Sequence, residues 1–242
     1  YARLRKVNPS PFSALLVFDD VCLVSSSPER LVRVQGRRVD TRPIAGTRPR
    51  GQSVSEDRRL AEELLADPKE RAEHLMLVDL ERNDLGRVCR YGTVKADDFM
   101  VIERYSHVSH IVSNISGALK PDATPFDLIQ ALFPGGTITG VPKIRCMEII
   151  AELEGAGRGA YTGSLGFLGC DGTMDLNILI RTMTLRGRRI DFRAGGSVRT
   201  LVLVVHHAVV VRILGQRTAG GVDLVALGRT RALVLVVHDA VA

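Results

Sequence analysis

The sequence predicts an α+β fold in which antiparallel sheets pack against helices. Three observations carry this reading. Strand-like segments come in groups separated by helical groups, in the order strands, helices, strands, helix, strands, and not as a regular βαβ alternation. The turns Cys170–Asp171–Gly172 and Arg186–Gly187–Arg188 join apolar runs closely enough to make antiparallel hairpins. Residues 57–67 and 144–154 carry apolar positions at the spacing of amphipathic helices.

Taken in order, residues 13–24 read as two short strands around Asp19–Asp20. A turn through Ser25–Glu29 leads to a strand at 31–34, a turn at Gly36 and a strand ending at Pro43. Residues 48–51 read as a loop. Ser53 or Ser55 caps a helix that starts near Glu56. A second helix follows from Lys69 to about Gly86. Pro68 suits its first turn, and Glu70 and Glu73 put negative charge near its positive end. Strand and loop fill 87–103, and alternation of apolar and polar residues makes 105–119 a strand. Residues 126–133 form a short helix, 133–143 a Gly-rich loop, 144–154 an amphipathic helix and 163–195 three strands.

Composition excludes several classes. At 242 residues the chain makes one large domain or two small ones, with room for a substantial core. With 45% apolar and 25% charged residues it is neither disordered nor collagen-like. No apolar run reaches the roughly 18 residues of a membrane helix. The net charge of +6 comes mostly from Arg dispersed along the chain, not from the clustered basic stripe of a nucleic-acid binder. The four Cys, at 22, 89, 146 and 170, form no CxxC. They read as reduced thiols of a protein expected to be cytoplasmic, with no signal-peptide pattern seen in these residues. The chain opens on Tyr1 in mid-pattern, as a fragment would.

Some residues have chemical potential on their own. Glu70 and Glu73 stand three apart on one helix and so share a face. Two such carboxylates suit a hard cation such as magnesium, although a solvated helix surface has the same spacing. Glu29, in a turn beside apolar strands, is a candidate general acid if burial holds its proton, and equally an ordinary surface Glu. His107 and His110 lie three apart in a strand, hence on opposite faces, so at most one of them faces a given site. The Gly-rich segment 133–143 lacks the GxxxxGK[ST] order of a phosphate loop, because Ile144 follows Lys143. No GxSxG elbow occurs.

Five segments become specific when read together: PIAGTRPRG (43–51), EHLMLVDLERNDLGRV (73–88), YSHVSHIVS (105–113), FPGGTITGVPKIRCMEII (133–150) and MDLNILIRT (174–182). In this order and spacing they resemble the C-terminal catalytic portion of the chorismate-utilising enzymes, over about residues 1–195. That family includes anthranilate synthase component I, aminodeoxychorismate synthase component I, isochorismate synthase and salicylate synthase. The resemblance implies a layered fold, chorismate as substrate, Mg²⁺ as cofactor and a glutamine amidotransferase partner that supplies ammonia. It makes Glu29 the acid that protonates the departing C4 hydroxyl. Thr47, with Ala45 and Gly46, lies near the ring hydroxyl, and His110 lies beside the ring. Glu73 becomes a direct magnesium ligand and Glu70 one acting through water. Tyr161 and Arg181 hold the enolpyruvyl carboxylate, with Gly195 in the adjoining loop.

The motifs look closest to aminodeoxychorismate synthase component I, which forms 4-amino-4-deoxychorismate for the folate pathway. Anthranilate synthase component I of tryptophan biosynthesis is the alternative. Some aminodeoxychorismate synthases carry Lys at the third position of PIxGT, where this chain has Ala45. All eleven Glu precede residue 155, and the match stops at Gly195. No Glu follows to supply the family's second magnesium-binding pair. Residues 1–195 thus read as a partial catalytic domain. Residues 196–242 read as a divergent tail, expected to be frame-shifted or otherwise disrupted. A further reading from another class is therefore an inactive fragment or pseudoenzyme.

Overall fold

The computed structural model describes residues 1–194 and the backbones of two strands further on, Val209–Leu214 and Ala232–Val237. Gly195 lies outside the described residues. Two antiparallel sheets hold the chain together. A short helix, α1 (Ala2–Val7), precedes β1 (Phe12–Phe18) and β2 (Val21–Ser27), which pair across the Asp19–Asp20 turn. Then come β3 (Arg30–Gln35), β4 (Arg38–Arg42) and β5 (Ile44–Pro49). The last of these corrects the expected loop at 48–51. Arg48 and Pro49 pair with Ser109 and Val108 because the strand needs a partner for the start of the long central strand.

Helix α2 (Val54–Ala66) starts where the Ser53 hydroxyl accepts the Glu56 N–H at 3.2 Å. Helix α3 (Pro68–Val88) is capped by Asp67, whose carboxylate accepts from Lys69 N at 2.9 Å and Glu70 N at 3.2 Å. It runs two residues past the expected stop at Gly86, since tertiary packing of Leu85 and Val88 outweighs one exposed Gly. Strands β6 (Lys95–Arg104) and β7 (Val108–Ala118) form a hairpin, followed by α4 (Pro125–Leu132) with its Thr124–Asp127 capping box.

The expected Gly-rich loop contains one helical turn, α5 (Gly136–Thr139). Gly136 lets this turn pack closely on α3: a β-carbon would stand 1.8 Å from Leu80 Cδ2, so the Leu80 side chain would have to move. Helix α6 (Lys143–Glu154) follows and ends on Gly155 in the left-handed conformation. The expected three C-terminal strands are four: β8 (Ser164–Gly169), β9 (Met174–Asn177), β10 (Thr182–Arg186) and β11 (Arg189–Ala194). The extra break falls at Ile178–Arg181, where the chain leaves one sheet and enters the other.

With β12 (Val209–Leu214) and β13 (Ala232–Val237), the smaller sheet runs β1-β2-β10-β11-β12. The larger runs β13-β8-β9-β3-β4-β7-β5, with β6 also on β7. The main core lies between the larger sheet and α3 and α4, built from Val32, Val39, Leu85, Ile115, Leu128, Met174 and Leu176 among others. A second cluster (Leu23, Ala160, Leu165, Leu179) sits where the two sheets meet. Fully burying a side chain of this size is worth about 1.5–3 kcal/mol, so the α3 face fixes the helix against the sheet. Among the described residues no helix is long and apolar enough to cross a membrane.

Candidate active site

The crossover Ile178–Arg181 organises the site. Ile178 N donates to Glu29 O at 3.0 Å, and Ser27 Oγ donates to Ile178 O at 2.5 Å. These bonds tie the β2–β3 turn to the crossover and set Glu29 beside Arg181. Ser26 N donates to Arg181 O at 3.2 Å, and Arg181 is held at φ +51°. A non-Gly residue there costs on the order of 1–3 kcal/mol, which the hydrogen bonds on both sides of the crossover must offset. The conformation directs Arg181 into two cavities at once. One, of about 570 Å³, is lined by Glu29, Thr137, Ile138, Tyr161, Arg181 and Arg193, among others. The other, of about 210 Å³, is lined by Ser10, Tyr105, His107, His110 and Arg181, among others.

Glu29 is only 6% exposed, so a carboxyl borders the larger cavity from a buried position. No described hydrogen bond or ion pair engages the Arg181 guanidinium. Its five donors are therefore open to an anion with two acceptor oxygens. Tyr161 stands under Arg158, whose guanidinium lies 5.5 Å from the ring centroid and is itself pinned to Glu154 at 2.6 Å. Burial pushes the Tyr161 hydroxyl up, so it remains a donor at neutral pH.

Cross-strand register builds the second half of the site. Thr47 on β5, His110 on β7 and Glu103 on β6 are direct partners and so stand side by side on one sheet face. His110 is 5% exposed. Its Nδ1 lies 3.0 Å from Gly46 O and 3.0 Å from Thr47 Oγ1. A carbonyl can only accept, so Nδ1 carries the proton and Nε2 keeps a lone pair. Burial, helped by the charge of Arg181, pulls His110 below its ordinary value despite opposing effects from Gly46 O and Glu103. The imidazole is neutral at pH 7.

Gly46 connects this face to the acidic helix. It is held at φ +72°, and a β-carbon there would stand 3.0 Å from Leu64 Cδ1 and 3.2 Å from Glu70 Oε2. Glu70 thus lies against the backbone unit that receives His110. Its other oxygen is 3.9 Å from Arg48, and Glu73 is 3.7 Å from Lys69. Among the described residues no group of three or more His, Cys, Asp or Glu is arranged for a metal. Two carboxylates one turn apart still fit magnesium in donor chemistry, because that ion takes hard oxygens and commonly uses one or two carboxylates, with water and substrate completing its shell.

A family model described as chorismate binding enzyme matches residues 1–200. The chain belongs to this family. It is 55% identical over 198 residues to the anthranilate synthase component I-like protein of Synechocystis, which covers 82% of this chain and 41% of that protein. It is 54% identical to aminodeoxychorismate synthase component 1 of Bacillus subtilis, with 82% and 42% covered. The crystal structure of anthranilate synthase component I from Streptococcus pneumoniae superposes with a TM-score of 0.71 at 44% identity, over 76% of this chain and 40% of that one. The chain thus spans about two-fifths of the length of these relatives.

Of the residues expected for a chorismate-binding enzyme, the fold gathers Glu29, Tyr161 and Arg181 around one cavity. It sets His110 with Arg181 on the other. Ala45 and Thr47 stand in β5 beside His110, and Glu70 borders Gly46. Glu73 lines neither cavity. His107 lies exposed in the turn before β7 and lines the smaller cavity together with His110, which corrects the expectation that at most one of the two faces a given site: the strand begins only at Val108, so strand alternation does not separate them. Sequence reasoning missed Tyr105, Glu103, Thr137 and Arg193, whose places depend on strand register and the crossover. It also missed the buried carboxyls of α3. Glu81 is 9% exposed and is pushed up to about 8 by burial, with Glu29 and Asp84 adding like charge. Asp84 accepts from Lys143 Nζ at 2.7 Å, and Lys143 also donates to Leu132 O at 2.9 Å. Acidic residues on the apolar stripe of a helix were the available signal for both.

Proposed function

We propose that the chain carries the chorismate-handling centre of an aminodeoxychorismate synthase component I-like enzyme, which replaces the C4 hydroxyl of chorismate by an amine. The observation that carries this is the larger cavity, where buried Glu29 and open Arg181 line one space with Tyr161. Chorismate is a dianion that must be held by its own carboxylates, through cationic and donor groups, while its hydroxyl leaves. Arg181 binds the enolpyruvyl carboxylate through a two-point fork, and Tyr161 donates to it. Glu29 gives its proton to the departing oxygen. The C–O bond breaks, the C–N bond to ammonia forms, water leaves, and the extra proton of the new amine restores the Glu29 carboxyl. A positioned acid contributes about 10²–10⁴-fold. The neutral His110, fixed by Gly46 O, presents the Nε2 lone pair toward the ring and accepts a hydrogen bond there. Glu70 and Glu73 would hold Mg²⁺, which neutralises the ring carboxylate when bound. A glutamine amidotransferase subunit supplies the ammonia, in keeping with relatives named as component I.

Anthranilate synthase component I is the second reading, favoured by Ala45 in place of Lys. Product analysis separates the two. With chorismate, Mg²⁺ and an ammonium salt, 4-amino-4-deoxychorismate without pyruvate supports the first. Anthranilate with stoichiometric pyruvate replaces it by the second.

A further inference from the structure

We propose that Tyr105 is a positioning residue for His110, held in place by the Glu103–Arg42 ion pair. This rests on the active-site reading of His110 given above. Four strands and one turn converge here. Tyr105, in the β6–β7 turn, meets the His110 ring edge-on, with centroids 5.5 Å apart and planes at 63°. Such a contact restricts rotation of the imidazole and is worth about 0.5–1.5 kcal/mol beyond area burial. Tyr105 is itself tethered at both ends. Its hydroxyl donates to Glu103 Oε2 at 2.7 Å, and the other Glu103 oxygen accepts from Arg42 Nη2. Its N–H donates to Val108 O at 2.8 Å, and its carbonyl accepts from Arg50 Nη1 at 2.8 Å.

Arg42 Nη1 also donates to Asn114 Oδ1 at 3.4 Å, four residues along β7 from His110, the cross-strand partner of Glu103. A rigid chain therefore runs from β4 through β6 to the ring of His110. Gly46 O and Thr47 act on one nitrogen of that ring, and Tyr105 acts on its edge. Together they leave Nε2 aimed in one direction. Burial opposes the charge on Glu103, but Arg42 and Tyr105 prevail and hold its carboxyl below the ordinary value, so the acceptor stays ionised at neutral pH. Tyr105 and His110 line the same small cavity as Arg181. The device therefore sets the angle between a neutral imidazole and the open guanidinium.

The experiment compares wild type, Tyr105→Phe, Tyr105→Leu and Glu103→Gln by ¹⁵N-edited NMR of the histidine ring at pH 7, alongside steady-state kinetics with chorismate. Tyr105→Phe keeps the ring and loses only the tether. The expected wild-type result is one sharp Nδ1–H tautomer for His110. In Tyr105→Phe and Glu103→Gln that signal shifts and broadens, and kcat falls about 10-fold with KM nearly unchanged. Tyr105→Leu broadens it further. An unshifted, sharp His110 signal in Tyr105→Phe overturns the proposal even where the other variants unfold. Failure of the wild type to turn over chorismate counts against the proposed function alone, because the NMR comparison does not depend on substrate.

Discussion

At the level of single residues, the proposed function rests its chemistry on Glu29 and Arg181, and the buried Glu81 carries the pH response. Glu29→Gln keeps the shape of the β2–β3 turn, whose anchor is the Glu29 carbonyl on Ile178 N. Turnover should therefore fall about 10²–10⁴-fold in kcat while chorismate still binds, as read by steady-state kinetics. Glu81 titrates at about 8 in the fold against an ordinary value of 4.5. Its folded form holds a proton that the unfolded chain has already lost, so the stability it confers is full below pH 4.5 and disappears as pH rises through 8. Glu81→Gln keeps a neutral group at that position. The melting temperature of the variant should fall less between pH 6 and pH 9 than that of the wild type. Equal slopes would show that Glu81 is ionised in the fold at neutral pH. His110 was legible from the sequence as one of two candidate histidines. Tyr105 was not, because its role depends on a 5.5 Å ring contact that only the β6–β7 register creates.

At the level of elements, α3 is the part that joins stability to function. One end is the Asp67 cap, which also receives Arg48 at 3.0 Å. The middle buries Leu77 and Leu85, and the far end is tied to the first residue of α6 by Asp84–Lys143. Asp67→Ala removes a cap accepting two N–H groups and should cost about 1 kcal/mol in denaturant unfolding, within the range for helix caps. Lys143→Met leaves the buried Asp84 with only its longer, 3.8 Å pair to the exposed Arg87. The expected loss is about 3–5 kcal/mol, much larger than for Lys69→Met at the exposed Lys69–Glu73 pair. Helices α2, α3, α4 and α6 were legible because their caps and periodicity are local, whereas α1 and the single turn α5 are too short to show either. β5 and the split of the C-terminal strands were not. Arg48–Pro49 is a strand only because β7 offers it a partner, and Ile178–Arg181 breaks only because two sheets must share one chain.

At the scale of the whole molecule, two sheets meet at the crossover, and the cavities open on either side of Arg181. Glu29, Tyr161, Arg181 and His110, expected from motif resemblance, come together on these two cavities, because each sits where a turn, a strand register or the crossover directs its side chain. Glu73 lines neither cavity, and Gly195 lies beyond the described residues. Removing magnesium with EDTA should lower the melting temperature only in the presence of chorismate, if Glu70 and Glu73 share the ion with substrate.

The central claim is that the space around Arg181 holds chorismate. Calorimetric titration of chorismate into the protein with Mg²⁺ present, for wild type and Arg181→Ala, tests it most directly. The account predicts saturable binding by the wild type and at least a tenfold weaker dissociation constant for Arg181→Ala, the loss of a bidentate charge-assisted contact. Equal affinity in the two proteins, or no binding by the wild type, would contradict it.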